Sequence, residues 1–216
     1  RQRPACSSRL VTKMNRKNQN RLGVLALQGG FSKHLQMLES LKCDAVPVKE
    51  PADLEQIDGL IIPGGESTTI GMLMERFGML ESLKARIAQG FPVMGTCAGI
   101  ILLADNIENS QQTHLGGLPI TVRRNAYGRQ IDSFEADIYS EYWEGSHNQP
   151  SPLRGVFIRA PQIIECANTV KVIAQYQQQP VVVQHGRLLG ITFHPELTKD
   201  TRLHEFFIRE IVNYQE

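Results

Sequence analysis

The sequence lacks three features that would place it in a specialised class of protein. No apolar run approaches the roughly 18 residues that a membrane span needs, which predicts a soluble protein without a membrane segment. Beyond residue 20 the chain carries 17 basic and 22 acidic side chains, so nothing favours nucleic-acid binding. Its four cysteines are far apart and form no CxxC pair, which argues against a disulfide framework or a zinc site and favours a reducing cytoplasm.

Residues 1–20 differ in composition from the rest of the chain. They hold six basic residues and no acidic residue, whereas folded-looking sequence begins at Arg21. Three interpretations fit this segment: a disordered N-terminal extension, residues added during cloning, or an organelle-targeting segment that bears Arg and Ser. We therefore predict a disordered or non-native leader at 1–20 and a single domain at 21–216.

Apolar runs and helical patterns alternate in the first half of the chain. This alternation predicts right-handed βαβ units, and hence an α/β domain whose mostly parallel central sheet is flanked by helices. The predicted strands are 22–27, 45–48, 59–62 and 92–95, and the predicted helices are 31–42, 67–77, 80–89 and 98–105.

Short β-like runs replace this alternation beyond Thr113. We expect them to form antiparallel or mixed strands that extend the same sheet, followed by a final helix at about 200–214. A polar loop is predicted at 141–152. The predicted strands are 120–123, 134–138, 155–158, 170–176, 181–184 and 188–193.

The pentapeptide GTCAG, residues 95–99, stands between a short apolar strand and a helix. The form G-x-C-x-G is the cysteine counterpart of the nucleophile elbow, in which small neighbours allow the nucleophile to project from a sharp turn. The N-terminus of the following helix would favour a thiolate. Cys97 is therefore the candidate nucleophile, and a buried structural cysteine near a tight turn is the alternative.

A second motif, His194-Pro195-Glu196, follows an apolar run 97 residues after Cys97. A thiol nucleophile needs a base that takes its proton and returns it to the leaving group, and that base needs a carboxylate to fix its orientation. His194 and Glu196 are the candidates for these roles. A structural surface histidine is the alternative for His194.

The turn PGGEST, residues 63–68, closes the strand that precedes the elbow by one βα unit. Its glycines would allow backbone N–H groups at Gly64 and Gly65 to turn inward. Together with the N–H of Ala98, they could stabilise the oxyanion of an acyl transfer. The alternative is a tight turn before a capped helix.

The combination of the PGGEST turn, the GTCAG elbow and the late HPE resembles class I (triad) glutamine amidotransferases. Further segments narrow the resemblance to the glutaminase subunits of two-component pyridoxal 5′-phosphate synthases, over roughly residues 21–214. These segments are ALQGG (26–30) with His34, RN (124–125), GRQ (128–130), DSFE (132–135), FIRAP (157–161) and HPELT (194–198). A longer 141–152 loop and the basic leader depart from the compact pattern of that family.

The resemblance implies a flavodoxin-like three-layer amidotransferase fold and a glutaminase reaction. Cys97 would attack the carboxamide of L-glutamine to give a γ-glutamyl thioester and ammonia, with His194 as base and acid and Glu196 orienting it. Gln28 would lie near the oxyanion site and the partner interface. The residues implied to hold the amino-acid end of the substrate are Gly65, Glu66, Ser67, Arg124, Ile158 and Arg159.

The same resemblance implies a partner. Ammonia would pass to a (βα)₈-barrel pyridoxal 5′-phosphate synthase subunit in a hetero-oligomeric complex, and docking would activate the glutaminase. No metal or bound cofactor is predicted, because the histidines are scattered and no carboxylate cluster has ligand spacing. The alternatives are another triad amidotransferase subunit, a γ-glutamyl hydrolase-like peptidase, or a DJ-1-like protein, although many relatives of the last type have a histidine where Ala98 follows the cysteine.

Overall fold

The computed structural model describes residues 20–124, 133–143 and 151–213, so the predicted leader, apart from Asn20, lies outside the described residues. The strands are β1 (Arg21–Leu25), β2 (Asp44–Val48), β3 (Gly59–Ile62), β4 (Val93–Thr96), β5 (Ala104–Ile107), β6 (Leu118–Arg123), β7 (Ser133–Ile138), β8 (Leu153–Ile158), β9 (Gln162–Cys166), β10 (Lys171–Tyr176), β11 (Gln179–His185) and β12 (Leu188–Ile191). The α-helices are α1 (Phe31–Ser40), α2 (Ser67–Arg76), α3 (Met79–Ala88), α4 (Ala98–Leu103) and α5 (Arg202–Phe206).

The central sheet has the strand order β10-β11-β12-β4-β3-β1-β2. All pairings from β12 to β2 are parallel, whereas β11 is antiparallel to both of its neighbours. The inner strands β3, β4 and β12 are buried along their whole length, as expected of parallel strands that are covered on both faces. The predicted α/β fold with a mostly parallel sheet is confirmed.

Helices cover both faces of this sheet and give three layers. Successive residues of β3 alternate between the two cores: Leu60 and Ile62 pack with α2, α3 and α4, and Ile61 packs with α1 and α5. On the second face the chain continues from α5 into a π-helical segment, Phe207–Val212, and the aromatic ring of Phe207 is fully buried. The predicted final helix at 200–214 is thus shorter and changes its hydrogen-bond pattern midway.

The expectation that the later strands all extend the central sheet is wrong in part. Only β10, β11 and β12 of these join it, whereas β5, β6 and β9 form one separate sheet and β7 pairs with β8 in another. The predicted helix at 98–105 ends at Leu103 because Ala104 adopts an extended conformation and begins β5. Neither β5 nor β9 was predicted, since each is a short strand that is specified by its pairing with β6.

In the described part of the chain, no helix has both the length and the apolar character that a membrane crossing requires. Residues 125 and 128–132, which contributed to the family resemblance, lie outside the described residues. Residues 144–150 of the predicted polar loop also lie outside them.

The N-terminal turn of α4 lies unusually close to the central sheet. A Cβ atom added at Gly99 would stand 2.2 Å from the carbonyl oxygen of Ile62 in β3, and one added at Gly95 would stand 2.6 Å from the backbone of Gly99. Both obstacles are backbone atoms, so no side-chain rotation can relieve them. This close packing holds the β4–α4 turn against β3.

Replacing Gly99 with alanine is therefore expected to destabilise the fold by about 1–3 kcal/mol, because the added methyl group overlaps backbone. Urea unfolding followed by circular dichroism measures this change. Gly30→Ala is the matched control, since its added Cβ would make an ordinary 3.7 Å contact and its φ of −80° suits alanine. Equal stability of Gly99→Ala and the control would contradict the close-packing argument.

Candidate active site

Cys97 occupies the turn between β4 and α4. Its φ of 49° and ψ of −102° lie in a region that non-glycine residues rarely adopt, which is the strained backbone expected of a nucleophile elbow. The backbone N–H of Cys97 donates to the carbonyl of Ile191 in β12 at 2.9 Å, and this bond holds the strained residue to the sheet. The side chain is 7% exposed and sits at the carboxyl end of the sheet.

His194 follows β12 and reaches the same place. Its backbone N–H donates to Val156 O in β8 (2.9 Å), and its ring nitrogen Nδ1 lies 2.8 Å from Glu196 Oε1. A Cβ added at Gly64 would stand 2.4 Å from His194 Cε1 and 3.3 Å from Cys97 Cβ, so Gly64 packs against both side chains. The structure thus brings Cys97, His194 and Glu196 together. Because Glu196 engages Nδ1, Nε2 is the nitrogen left to exchange a proton with Cys97.

The electrostatics favour a protonated His194 next to an ionised Glu196. Burial lowers the pKa of His194, but its hydrogen bonds to Cys97 and Glu196 and the charges of both outweigh this effect and raise its pKa to about 10. Burial likewise raises the pKa of Glu196, but the hydrogen bond and charge of His194, aided by His34, bring it below its ordinary value. A protonated His194 can therefore stabilise a thiolate at Cys97 and later supply a proton.

Two glycine turns interlock beside the nucleophile. The Gly64 carbonyl accepts a hydrogen bond from the Gly30 N–H (2.9 Å), and a Cβ on Gly29, whose φ is +102°, would stand 2.0 Å from that same oxygen. The half-buried side chain of Gln28 accepts the N–H of Glu66 at 3.0 Å. Gln28 therefore braces the turn that contains Gly64 and Gly65.

Ala98 begins α4 immediately after the nucleophile. Its N–H belongs to the first turn of the helix, where backbone donors have no intrahelical acceptor and carry partial positive charge. The arrangement offers a backbone donor beside Cys97.

A polar cluster built around Arg124 lies at the start of α2. Arg124 donates to Gln112 Oε1 at 2.7 Å and to Thr68 Oγ1 at 3.2 Å, and its other terminal nitrogen lies 3.2 Å from Glu66 Oε1. Ser67 also donates to Gln112 Oε1 at 3.2 Å. Glu66 accepts the N–H groups of Thr68 and Thr69, so it caps α2. Gln112 was not predicted, because a glutamine in a polar loop gives no pattern to recognise.

The end of β8 forms another wall of the site. The Cys97 sulfur lies 3.8 Å from the carbonyl oxygen of Ile158, and the Ile158 side chain is partly exposed. Arg159, the next residue, is exposed and has a φ of 45°. The backbone at Ile158 thus touches the nucleophile, whereas the Arg159 side chain makes no contact with it that would define a role.

Two buried histidines behind Glu196 were not predicted as site residues. His34 in α1 and His204 in α5 are both fully buried and lie 3.0 Å apart, Nδ1 to Nε2. In the sequence, His34 stands out only as part of one segment of the family resemblance. In the described ranges, no group of three or more His, Cys, Asp or Glu side chains is arranged to hold a metal ion.

Comparison with known proteins gives concordant results. The family model described as the SNO glutamine amidotransferase family matches residues 24–213. A protein of Carboxydothermus hydrogenoformans named pyridoxal 5′-phosphate synthase subunit PdxT is 48% identical over 191 residues, covering 88% of this chain and 97% of that protein. The protein of the same name from Thermosipho africanus is 45% identical, covering 88% and 98%.

A solved structure of a glutamine amidotransferase superposes with a TM-score of 0.82 at 42% identity, covering 89% of this chain and 99% of the other. The family match spans most of the chain, and the relatives cover it almost from end to end of their own sequences. The chain therefore belongs to the SNO glutamine amidotransferase family.

Proposed function

We propose that this chain hydrolyses L-glutamine to L-glutamate and ammonia through a thioester on Cys97, as the glutaminase subunit of a pyridoxal 5′-phosphate synthase. The observation that carries the proposal is the placement of His194 between the strained, buried Cys97 and the buried carboxylate of Glu196. The curated relatives at 45–48% identity, which are named as subunits of that synthase, support the biosynthetic assignment.

In the proposed reaction the Cys97 thiolate attacks the carboxamide carbon, and the electron pair of the carbonyl bond moves to oxygen. His194, protonated and oriented by Glu196, gives its proton to the amide nitrogen as the C–N bond breaks, so that ammonia leaves. His194 then takes a proton from water as water attacks the thioester. Collapse of the second tetrahedral intermediate releases glutamate and restores the thiolate and the imidazolium.

Backbone donors would stabilise the oxyanion of both tetrahedral intermediates. We assign this role to the amides of Gly64 and Gly65, whose turn packs beside Cys97, and to the amide of Ala98, which follows it. Gln28 would support it, because its side chain holds the Glu66 amide and thereby the glycine turn.

The Arg124 cluster suits the zwitterionic end of glutamine. Arg124 and Glu66 present opposite charges 3.2 Å apart, and both are partly exposed. The guanidinium could bind the α-carboxylate through both oxygens while Glu66 accepts from the α-ammonium. Gly65, Ser67, Ile158 and Arg159 complete the proposed substrate site, with the Ile158 backbone against the sulfur.

The proposed partner is a (βα)₈-barrel synthase subunit that receives the ammonia in a hetero-oligomeric complex. Two partly exposed apolar side chains, Ile158 and Leu197, each lie next to a site residue, which supports docking at this end of the sheet. Docking there would activate the glutaminase and prevent the loss of ammonia to solvent. We place the complex in the cytoplasm, where a catalytic thiol stays reduced.

Replacing Cys97 with alanine is expected to reduce partner-stimulated ammonia release at least about 10³-fold, because no other thiol among the described residues is positioned to form the thioester. The assay measures glutamate and ammonia formed from L-glutamine with the chain alone and with its synthase subunit. Cys166→Ala is the matched control and should retain full activity, since Cys166 lies in β9 of a separate sheet. Unchanged activity in Cys97→Ala would rule out the thioester mechanism.

Replacing Glu196 with glutamine is expected to lower the pKa of His194 from about 10 towards its ordinary 6.5. The folded-state pKa of His194 is raised, so its ionisation stabilises the wild type fully below about pH 6.5, and this contribution is lost as the pH rises through about 10. The variant should therefore show a flatter decline of stability over that window and a kcat lower by roughly 10²-fold or more.

Urea unfolding at several pH values and NMR titration of the His194 ring measure these effects. Glu165→Gln is the control, because Glu165 is exposed in β9 and bonds to Thr121 rather than to a histidine. An unshifted His194 titration in Glu196→Gln would show that this carboxylate does not hold the proton on the ring.

Replacing Arg124 with methionine is expected to raise the KM for glutamine by about 10- to 100-fold, the loss of a charged hydrogen-bond pair to the α-carboxylate. The neighbouring Arg123 offers a matched control: it pairs with Glu108 through two hydrogen bonds and belongs to no part of the proposed site. Initial rates over a range of glutamine concentrations give both constants. The same KM in the two variants would remove Arg124 from the substrate site.

A further inference from the structure

The carboxylate of Glu196 is in contact with histidines on two sides. Its Oε1 engages His194, whereas its Oε2 lies 3.4 Å from His34 Nε2 and has no aligned hydrogen-bond donor among the described residues. Both side chains are almost completely buried, so water does not reach the contact freely. A buried carboxylate oxygen is costly to leave without a compensating donor. His34 is the group placed to provide one.

The tautomer of His34 follows from its neighbours. His34 Nε2 faces Thr96 Oγ1 (3.1 Å) and the Glu196 carboxylate, and His34 Nδ1 faces His204 Nε2 (3.0 Å). With a proton on Nδ1, the Nε2 lone pair would point at an ionised carboxylate. With the proton on Nε2, His34 donates towards Glu196 and Thr96 while its Nδ1 accepts from His204 Nε2–H. The second arrangement is electrostatically favourable at every contact.

The state of His204 agrees with this arrangement. Its Nδ1 has no hydrogen-bond partner within the described residues, so a proton there would be a buried donor without an acceptor. Burial lowers the pKa of His34 in spite of the nearby Glu196, and burial together with His34 lowers that of His204. Both rings are therefore neutral at neutral pH, and each carries one proton on Nε2.

We propose that His34 is a positioning residue of the glutaminase site: its Nε2–H, fixed by His204, holds the Glu196 carboxylate oxygen that His194 does not use. His34 touches neither Cys97 nor the proposed substrate site, and it acts through Glu196 and through Thr96, the residue before the nucleophile. The chain of contacts runs from α5 through α1 to the HPE segment and β4. This assignment rests on the proposed glutaminase function.

The pH dependence of the contact between Glu196 and His34 involves the titratable and charged groups around it. Glu196 faces His194 and His34, and Lys33 and Lys199 line the adjoining cavity. His34 in turn faces His204 and Glu196. Since an N–H directed at Glu196 Oε2 favours the ionised carboxylate, the removal of His34 should allow Glu196 to take up a proton at higher pH.

The kinetic test compares His34→Leu with His34→Gln, in complex with the synthase subunit. The leucine variant should lose about 10- to 100-fold in kcat with little change in KM, and the acid limb of its pH profile should move up by about one unit. Glutamine carries an amide N–H that can reach the same oxygen, so His34→Gln should restore most of the kcat and the wild-type acid limb. Retention of both properties in His34→Leu would overturn the proposal.

Leu38→Ala separates positioning from general destabilisation. Leu38 is fully buried one turn further along α1 and packs in the core rather than against Glu196. It should lower the thermal midpoint without moving the acid limb. If it shifts the acid limb as His34→Leu does, the effect belongs to the stability of α1 and the proposal fails.

A measurement on the wild type tests the tautomer of His34 directly. The ¹⁵N shifts and ¹H–¹⁵N couplings of the His34 ring identify the nitrogen that carries the proton, with assignment by His34→Gln. A proton on Nε2 supports the proposal, and a proton on Nδ1 overturns it. Absence of ammonia release from the wild-type complex would instead refute the proposed function and leave the ring measurement intact, so the two failures are distinguishable.

Discussion

The site depends on one constraint: an ionised carboxylate, Glu196, is almost completely removed from water. A buried charge is tolerated only when paired and hydrogen bonded, so every group around Glu196 is restricted in position and protonation state. His194 must carry a proton on the nitrogen that faces it, which directs the other ring nitrogen to Cys97. The ring nitrogen that exchanges a proton in the proposed reaction, Nε2, is thus presented to Cys97 before substrate arrives.

The fold supplies the elements that meet at this carboxylate. Four consecutive strands of the sheet, β12, β4, β3 and β1, are parallel to one another. Gln28, Gly64, Cys97 and His194 each follow the carboxyl end of one of these strands. Parallel strands direct their carboxyl ends to one edge, so four distant segments converge without any long excursion of the chain. The close packing of Gly99 on β3 then sets how far the elbow projects from that edge.

The local elements and motifs of the site could be predicted from the sequence, and the contacts between distant segments could not. Apolar runs bounded by Gly and Pro predicted the parallel strands, and the GTCAG, PGGEST and HPE segments predicted which strand ends would carry polar side chains. The separate sheets of β5–β9 were missed because their pairing depends on contacts that no local period records. The contact between His34 and His204 spans 170 positions of the chain, and a single buried histidine in a helical pattern gives no sign of its partner.

The two charge pairs of the site differ in burial, and this difference matches what each has to do. The side chains of His194 and Glu196 are 13% and 2% exposed, whereas those of Arg124 and Glu66 are 33% and 48% exposed. Coulomb interactions strengthen as water is excluded, so the buried pair keeps one geometry throughout a reaction in which charge moves. An exposed pair contributes about 0–1 kcal/mol and is easily opened. In the proposed substrate site, an incoming zwitterion would separate Arg124 from Glu66 and bind between them, with little loss of folding stability and no disturbance of the buried pair.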